Sequence, residues 1–416
     1  MPDPNSAIDP GGHLHAFRAR SFVLLWVGSL LSNIGSWMQN VAQPWLVLQL
    51  SDSPFLLGVD SFAGTAPLWV LVLAGGVLAD RRDRRQTLLL FQAIQMACPV
   101  VLVGLLVLGK ISVGAVIGLS LVVGITDALS GPALMALIPS SVQPSQVPNA
   151  VALTSVQFNL SRVLGPLLAG VVLTTLGATY CFGFNAISYL PLLAALLVLR
   201  LPSERDPAVS AKATLSEGLR HIARHPTLRQ PVLTVTISGF LCGPLITFAP
   251  VLIRDALHRG RGLFSGVLAA YGVGGLVGAG LVLLLTNNRT RQRVASSAAL
   301  LLGIVALGLG SVPSLPTVLA GFALAGGAMV TSNAASNTIL QSSVHADFRG
   351  RVSSVYTLAF RGTLAIGSLV TGAVVSRYGV RTALTINGSS AVLGQLVLVY
   401  FSSRLSRSSS GAPSSG

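Results

Sequence analysis

Twelve apolar runs, each close to or beyond the length that crosses a bilayer, follow one another from residue 21 to residue 402. A membrane-spanning helix needs about 20 mainly apolar residues. The first six runs cover roughly 21–50, 55–79, 87–108, 113–138, 149–175 and 179–200. The second six cover roughly 231–254, 264–286, 294–312, 316–341, 350–375 and 379–402. They are numbered spans 1 to 12 below. Only 9% of the 416 residues are charged and 52% are hydrophobic. A soluble chain carries roughly a quarter charged residues. This one cannot cover a water-facing surface, so lipid must be its solvent. The expectation is an all-α membrane protein.

The net charge of +15 does not imply a nucleic-acid partner. Its Lys and Arg residues lie between apolar runs and not on one helix face. With the N-terminus inside, nineteen of the 27 basic residues fall on cytoplasmic segments and six on external ones. That bias follows the positive-inside pattern and puts both termini in the cytoplasm, in a cell inner membrane. Met1 to Arg20 lacks the apolar core of a cleaved signal peptide. Cys98, Cys181 and Cys242 sit inside apolar runs with no CxxC spacing, so neither a metal site nor a disulfide framework is expected. "GLLVLGKI", Gly104 to Ile111, imitates a P-loop. It lacks the final Ser/Thr and ends an apolar span, so ATP binding is rejected. No catalytic motif, metal or cofactor is expected, and no enzymatic activity.

The organisation divides into a tail at 1–20, a six-helix bundle at 21–200, a linker at 201–230, a second bundle at 231–402 and a disordered tail at 403–416. Within the linker, Leu215, Leu219 and Ile222 recur at helical spacing up to Pro226. They predict a short amphipathic helix at the membrane surface. The halves resemble each other. At an offset of 202, "ALIPSSV" (Ala136 to Val142) meets "TILQSSV" (Thr338 to Val344). The same offset pairs Gly165 with Gly367, Gly170 with Gly372 and Gly177 with Gly379. At an offset of 208, Gly58 pairs with Gly266, Arg81 with Arg289 and Arg85 with Arg293. Two parallel six-helix repeats are a transporter architecture, with the binding site between them near the midplane.

Between spans 2 and 3 stands "GGVLADRRDRR". Gly76, Asp80, Arg81, Arg84 and Arg85 resemble the loop signature of the major facilitator superfamily, G-x3-D-R-x-G-R-R. With "SNIGSWMQNVAQPWLVLQLSDSP", "SRVLGPLLAG" and "EGLRHIARHPTLRQ", the chain resembles the enterobactin-exporter and macrolide-efflux branch of that superfamily, the transmembrane secretion effectors. The resemblance spans nearly the whole chain. It implies twelve helices in two pseudo-symmetric bundles, alternating access, and a cytoplasmic gate held by the loop motif. Two departures stand out. Asp83 replaces the signature glycine, and span 4 has no Arg, where many proton-coupled members have a functional one. The arginines read as topology anchors. Asp80, one residue before them, reads as a latch on the N-terminus of span 11, a contact of about 0.3–1 kcal/mol.

Charges at mid-span are costly and usually face a cavity or a partner. Asp127 lies in span 4, Arg162 in span 5, Arg361 in span 11 and Asp60 in the outer part of span 2. Asp127 and Arg162 read as a pair of adjacent helices, either fixing packing or serving substrate and protons. Arg361 reads as an anion contact or as the partner, across the halves, of Asp60 or Asp127. Asp60 could equally sit at the outer water interface. Asn33, Ser36, Asn40 and Gln43 form a polar stripe on span 1. Trp37 and Asn159 complete the candidate cavity lining. Gly165-Pro166 resembles the family's antiporter-type element, a weakened point in span 5, or else is a static kink. The expected function is proton-coupled export of a siderophore, macrolide-like drug or other amphiphilic small molecule by a monomer. Uptake or lipid flipping by the same fold, and a non-transporting receptor, are the alternatives.

Overall fold

In lipid, every backbone amide must be satisfied within its own segment or a closed barrel. The computed structural model meets that demand with helices throughout. It describes residues 15–81, 83–199, 215–258, 260–344 and 346–410, and no strand occurs among them. Eleven helical stretches are long and apolar enough to cross a membrane. The last, Arg351–Ser402, runs to 52 residues but is broken at Gly379, where φ is 82°. Only glycine adopts that backbone cheaply, and the chain reverses there. Asn387 Nδ2 then donates to Thr371 Oγ1 at 2.9 Å, tying span 12 back against span 11. Twelve spans result.

Their ends define two faces. Arg20, Arg84, Ser140, Val147, Val198, Pro226, Asn288 and Ser343 bound helices at the basic face. Ser51, Pro54, Val107, Val113, Thr175, Ala178, Ser311 and Leu315 bound them at the far face. Short polar residues start several helices by accepting free amide hydrogens. Ser112 accepts from the Ala115 amide, Ser314 from Thr317 and Asn287 from Thr290. Asp83, the departure from the loop signature, caps span 3 by accepting from the Arg85 and Gln86 amides.

Several segments depart from the sequence-based expectation. Span 2 is two helices, Pro54–Ala63 and Pro67–Arg81. Pro67 has no amide hydrogen to carry the first helix onward. Span 7 contains π turns at Ser238–Cys242 and Leu252–Ala256, and span 11 has one at Leu358–Gly362. The linker helix covers Leu215–Arg224 and, beyond the expectation of a surface helix, docks on the start of span 11. Its inward residues are Gly218 and Ile222, whereas Leu219 is exposed. Glu217 pairs with Arg351 at 3.3 Å, and the His221 ring stacks on Phe348 at 4.4 Å. The last helix continues to Ser410, into the Ser-rich stretch expected to be disordered. Extending an existing helix adds one backbone bond per residue fixed.

The repeat in the sequence is a repeat in contacts. A Cβ on Gly165 would lie 2.3 Å from Cβ of Trp37, where span 5 crosses span 1. A Cβ on its counterpart Gly367 would lie 2.0 Å from the Phe240 carbonyl oxygen, where span 11 crosses span 7. The largest buried apolar cluster draws on both halves, from Met38–Leu57 to Leu245–Ile253 and Phe264–Tyr271. The clusters nearer the basic face each draw on one half. The halves are therefore joined at the far face and separate toward the basic face.

Two outcomes test this packing. Gly367→Val should destabilise the detergent-purified protein by about 1–3 kcal/mol through overpacking, read as a lower melting temperature. Gly183→Ala, with no atom within 4 Å of the added carbon, should leave it unchanged. Burial, and next the facing His225, hold the His221 imidazole below its ordinary range. A histidine whose folded value is depressed stabilises above its unfolded value of about 6.5 and loses that contribution as pH falls. Amide protection factors over Leu215–Arg224, corrected for the base-catalysed intrinsic rate, should therefore fall between pH 7.5 and pH 5.5.

Candidate functional site

Asp127 sits midway along Val113–Ser140, and Arg361 lies within the π turn of span 11. Arg361 Nη2 reaches Asp127 Oδ2 at 2.9 Å, with the side chains 50% and 43% exposed. This pair joins the two halves. A π turn inserts one residue into the helical register and re-aims the side chains around it. It faces the π turn of span 7, where Gly239 approaches Thr363 and the Phe360 carbonyl. Beneath the pair, Leu68, Ala128 and Leu358 form a small apolar contact between spans 2, 4 and 11.

The Asp127–Arg162 pair read from the sequence does not form. Asp127 turns toward span 11, and Arg162 turns toward span 1 and the second half. The Arg162 guanidinium lies 5.8 Å from the Trp37 ring centroid and lines a small cavity with Tyr271 on span 8. Phe158 meets the other edge of Trp37, with ring centroids 6.5 Å apart. Among the described residues no carboxylate lies within ion-pair distance of Arg162. The result is a cation framed by aromatic rings, a setting that suits planar or anionic groups.

Asp60 is not at a water interface. It is 7% exposed, and its oxygens accept from Ser120 Oγ at 2.6 Å and Gln43 Nε2 at 2.8 Å. The span 1 stripe is largely consumed by bonds inside the first half. Gln39 bridges Gln43 at 3.0 Å and Asn185 at 2.7 Å, and Ser36 meets the Tyr189 hydroxyl at 3.3 Å. Asn40 remains exposed and Asn33 half-buried. Asn159 lies in the helix Val147–Thr175, but its side chain falls outside the described residues. Gly165 and Pro166 lie inside that same helix, which runs unbroken past them.

The loop motif divides. Gly76, Asp80 and Arg81 fall in the last turns of Pro67–Arg81; their side-chain placement lies outside the described residues, so the Asp80 latch does too. Arg85 donates from Nε to the Leu196 carbonyl and from Nη2 to the Leu197 carbonyl at 2.8 Å. It closes the C-terminus of span 6 in its own half. Asn288, the counterpart of Asp80, donates to Ser342 at 3.0 Å at the end of span 10.

The far face carries contacts that sequence reasoning missed. Arg254 bonds Asp52 at 2.5 Å and Asp255 at 2.6 Å. The Asp52 bond joins the end of span 1 to span 7. Trp45 stacks on Phe264 at 5.5 Å between spans 1 and 8, so this Trp serves packing. Tyr271, Ser120 and Asn185 were also missed. The only available signal for the ion pair was an acid and a base at the far ends of counterpart spans.

Comparison with known proteins accords with this geometry. The multidrug efflux pump Tap of Mycolicibacterium fortuitum is 26% identical over 395 residues, covering 92% of this chain and 96% of that protein. The enterobactin exporter EntS of Citrobacter koseri is 26% identical over 408 residues, covering 94% and 93%. Among solved structures, the nucleoside transporter NupG (D323A mutant) matches with a TM-score of 0.73 at 13% identity, covering 92% of this chain and 99% of that one. An inward-facing, unoccupied bacterial homologue of the lysosomal transporter Spinster matches with a TM-score of 0.66 at 16% identity, covering 93% and 96%. At such identities these two structures speak for the fold alone, the major facilitator fold. The profile of the transmembrane secretion effectors matches residues 12–415, nearly the whole sequence, and the chain belongs to that family.

Proposed function

We propose that this transporter is a secondary active exporter of amphiphilic small molecules, driven by protons and working by alternating access. The observation that carries the reading is the half-exposed Asp127–Arg361 pair. It ties together two bundles that are joined at one face and separate at the other. Residues 21–200 and 231–402 are the moving bodies, and 201–230 links them. The basic face is cytoplasmic, with both termini there, in the inner membrane. The chain acts as a monomer, and the arrangement described has its site open to the cytoplasm. The likeness to a multidrug pump and a siderophore exporter supports outward transport.

In this reading the cross-half pair is a tie that substrate loosens. A mid-membrane charge must keep a partner, so a substrate group that competes for Arg361 or Asp127 changes how firmly the halves hold. Arg162, framed by Trp37 and Tyr271, receives an anionic or planar group. Asp52–Arg254 and Trp45–Phe264 form the far gate and must part for release. Asp80, Arg81 and Arg84 act at the cytoplasmic gate, with Gly76 permitting close approach there. Asn33, Asn40 and Asn159 line the path, and Gly165-Pro166 gives span 5 a point of adjustment.

Inside-out vesicles with an imposed pH gradient test the function. Uptake of at least one compound from a panel of siderophores, macrolides and amphiphilic drugs should follow the gradient. No gradient-dependent uptake across the panel would count decisively against export. Asp127→Asn and Arg361→Gln should each slow transport roughly tenfold, a loss of about 1.4 kcal/mol. Equal rates in the variants would remove the tie from the mechanism. For the far gate, Asp52→Cys with Arg254→Cys should cross-link with a reducible bifunctional thiol reagent and stop turnover, with recovery on reduction. Full turnover in the cross-linked protein would exclude a gate there.

A further inference from the structure

Asp60 differs from Asp127, the other mid-span carboxylate. Asp127 has Arg361 as its counter-ion, but the partners of Asp60 are neutral. Ser120 Oγ donates to Oδ1 and Gln43 Nε2 to Oδ2, and Gln43 Nε2 also lies 2.8 Å from Ser120 Oγ. The charged groups on the elements packed around it are Asp52 ending span 1, Asp127 on span 4, Arg254 and Asp255 on span 7, and Arg361 and Arg377 on span 11. None of them is a hydrogen-bond or ion-pair partner of Asp60. Burying a charge with no counter-ion costs several kcal/mol even after relaxation.

Its place in the fold is equally particular. Asp60 lies on the short helix Pro54–Ala63, cut off by the turn at 64–66 from the rest of span 2. Its donors stand on spans 1 and 4, within the first half. The same short helix is clamped to the second half. A Cβ on Gly58 would lie 2.6 Å from the Ser368 carbonyl oxygen, and one on Gly372 would lie 3.2 Å from the Pro54 carbonyl oxygen. One small segment therefore joins the two bodies at the far face and carries an uncompensated acid in its middle.

We propose that Asp60 is the coupling-proton site, loaded from far-side water, and that its protonation is what permits the far face to close. This rests on the alternating-access reading and names its coupling residue. With the far face open, water solvates the carboxylate. Closure removes that water. A hydronium ion transfers its proton to a carboxylate oxygen of Asp60, one O–H bond forming as another breaks. The neutral acid is then buried among Ser120 and Gln43. While the basic face is open the O–H bond breaks and cytoplasmic water takes up the proton, so Asp60 is charged again before the far face reopens and one proton has crossed inward per cycle. Asp127, already balanced by Arg361, is the tie between halves and not the proton carrier.

The test is electron-electron distance measurement on purified full-length protein in lipid nanodiscs, with spin labels at Leu176→Cys and Val312→Cys. These positions sit at the far face on opposite halves, and the native cysteines are buried. The wild-type background should show the far face opening, a longer label separation, as pH rises from 5 to 9. Asp60→Asn, which cannot ionise, should stay at the short separation throughout. Asp127→Asn should keep the pH response. Ser120→Ala retains the acid but loses a donor to it. It should keep the response and move its midpoint by roughly one pH unit, the scale of a hydrogen bond to a charged acceptor. Asp60→Asn opening like the parent, or an unmoved midpoint in Ser120→Ala, would overturn the assignment. So would a parent that does not respond to pH. Gradient-driven uptake by the wild type in inside-out vesicles, measured alongside, separates that failure from failure of the exporter reading itself.

Discussion

An ionised group placed halfway along a helix in lipid has no solvent to answer it, and the interior of this protein is arranged around that constraint. Three solutions occur within a few helical turns of one another. Asp127 and Arg361 neutralise each other across the two halves. Arg162 lies over the Trp37 ring and beside Tyr271. Asp60 is wrapped by neutral donors. Each answer recruits a different set of helices, so the charges also decide which spans must stay together. A protein with only 9% charged residues has few such fixed points, and they bear on its movement as much as on its stability.

The packing distributes rigidity in a complementary way. Counterpart glycines, Gly165 and Gly367, bring span 5 onto span 1 and span 11 onto span 7 with near backbone contact. Without a hydrophobic difference between lipid and side chain, such close approach is a main source of helix association. Each half is thereby a tight body. Between the halves, adhesion at the far face is mixed: an aromatic stack, one ion pair and two small-residue crossings. Beneath them the largest apolar cluster also runs across both halves, so parting the far face requires those side chains to be covered anew.

Much of this architecture is written in the sequence as length and repetition. The spans, the reversal at Gly379 and the glycine pairs all follow from apolar run length and two recurring offsets. The site is legible as a roster, with the Arg361–Asp127 pairing among the alternatives the sequence offers. Asp127, Arg162, Arg361 and Asp60 stand out because charge is rare in those runs, but their partners depend on the rotation of each helix. Rotation cannot be read where hydropathy is nearly uniform around the helix, as it is in span 4. The Asp127–Arg162 reading failed for that reason, since neighbours in sequence order need not face each other. The role of Asp83 was legible in principle, as an acid immediately before a helix start. Asp60 shows the opposite difficulty: the proline that breaks span 2 is visible, but not that the severed piece adheres to the other half.

The π turn at Leu358–Gly362 carries a consequence for how such a chain can diverge. It allows Arg361 to face span 4 while Gly367, six residues later, remains against Phe240. An ordinary helix advances about 100° per residue. Losing one residue here would swing one of those two contacts a quarter-turn or more away from its partner. Span 11 can therefore exchange side chains freely over much of its surface, but its residue count is fixed. Relatives that keep both contacts should vary here by substitution and almost never by insertion or deletion.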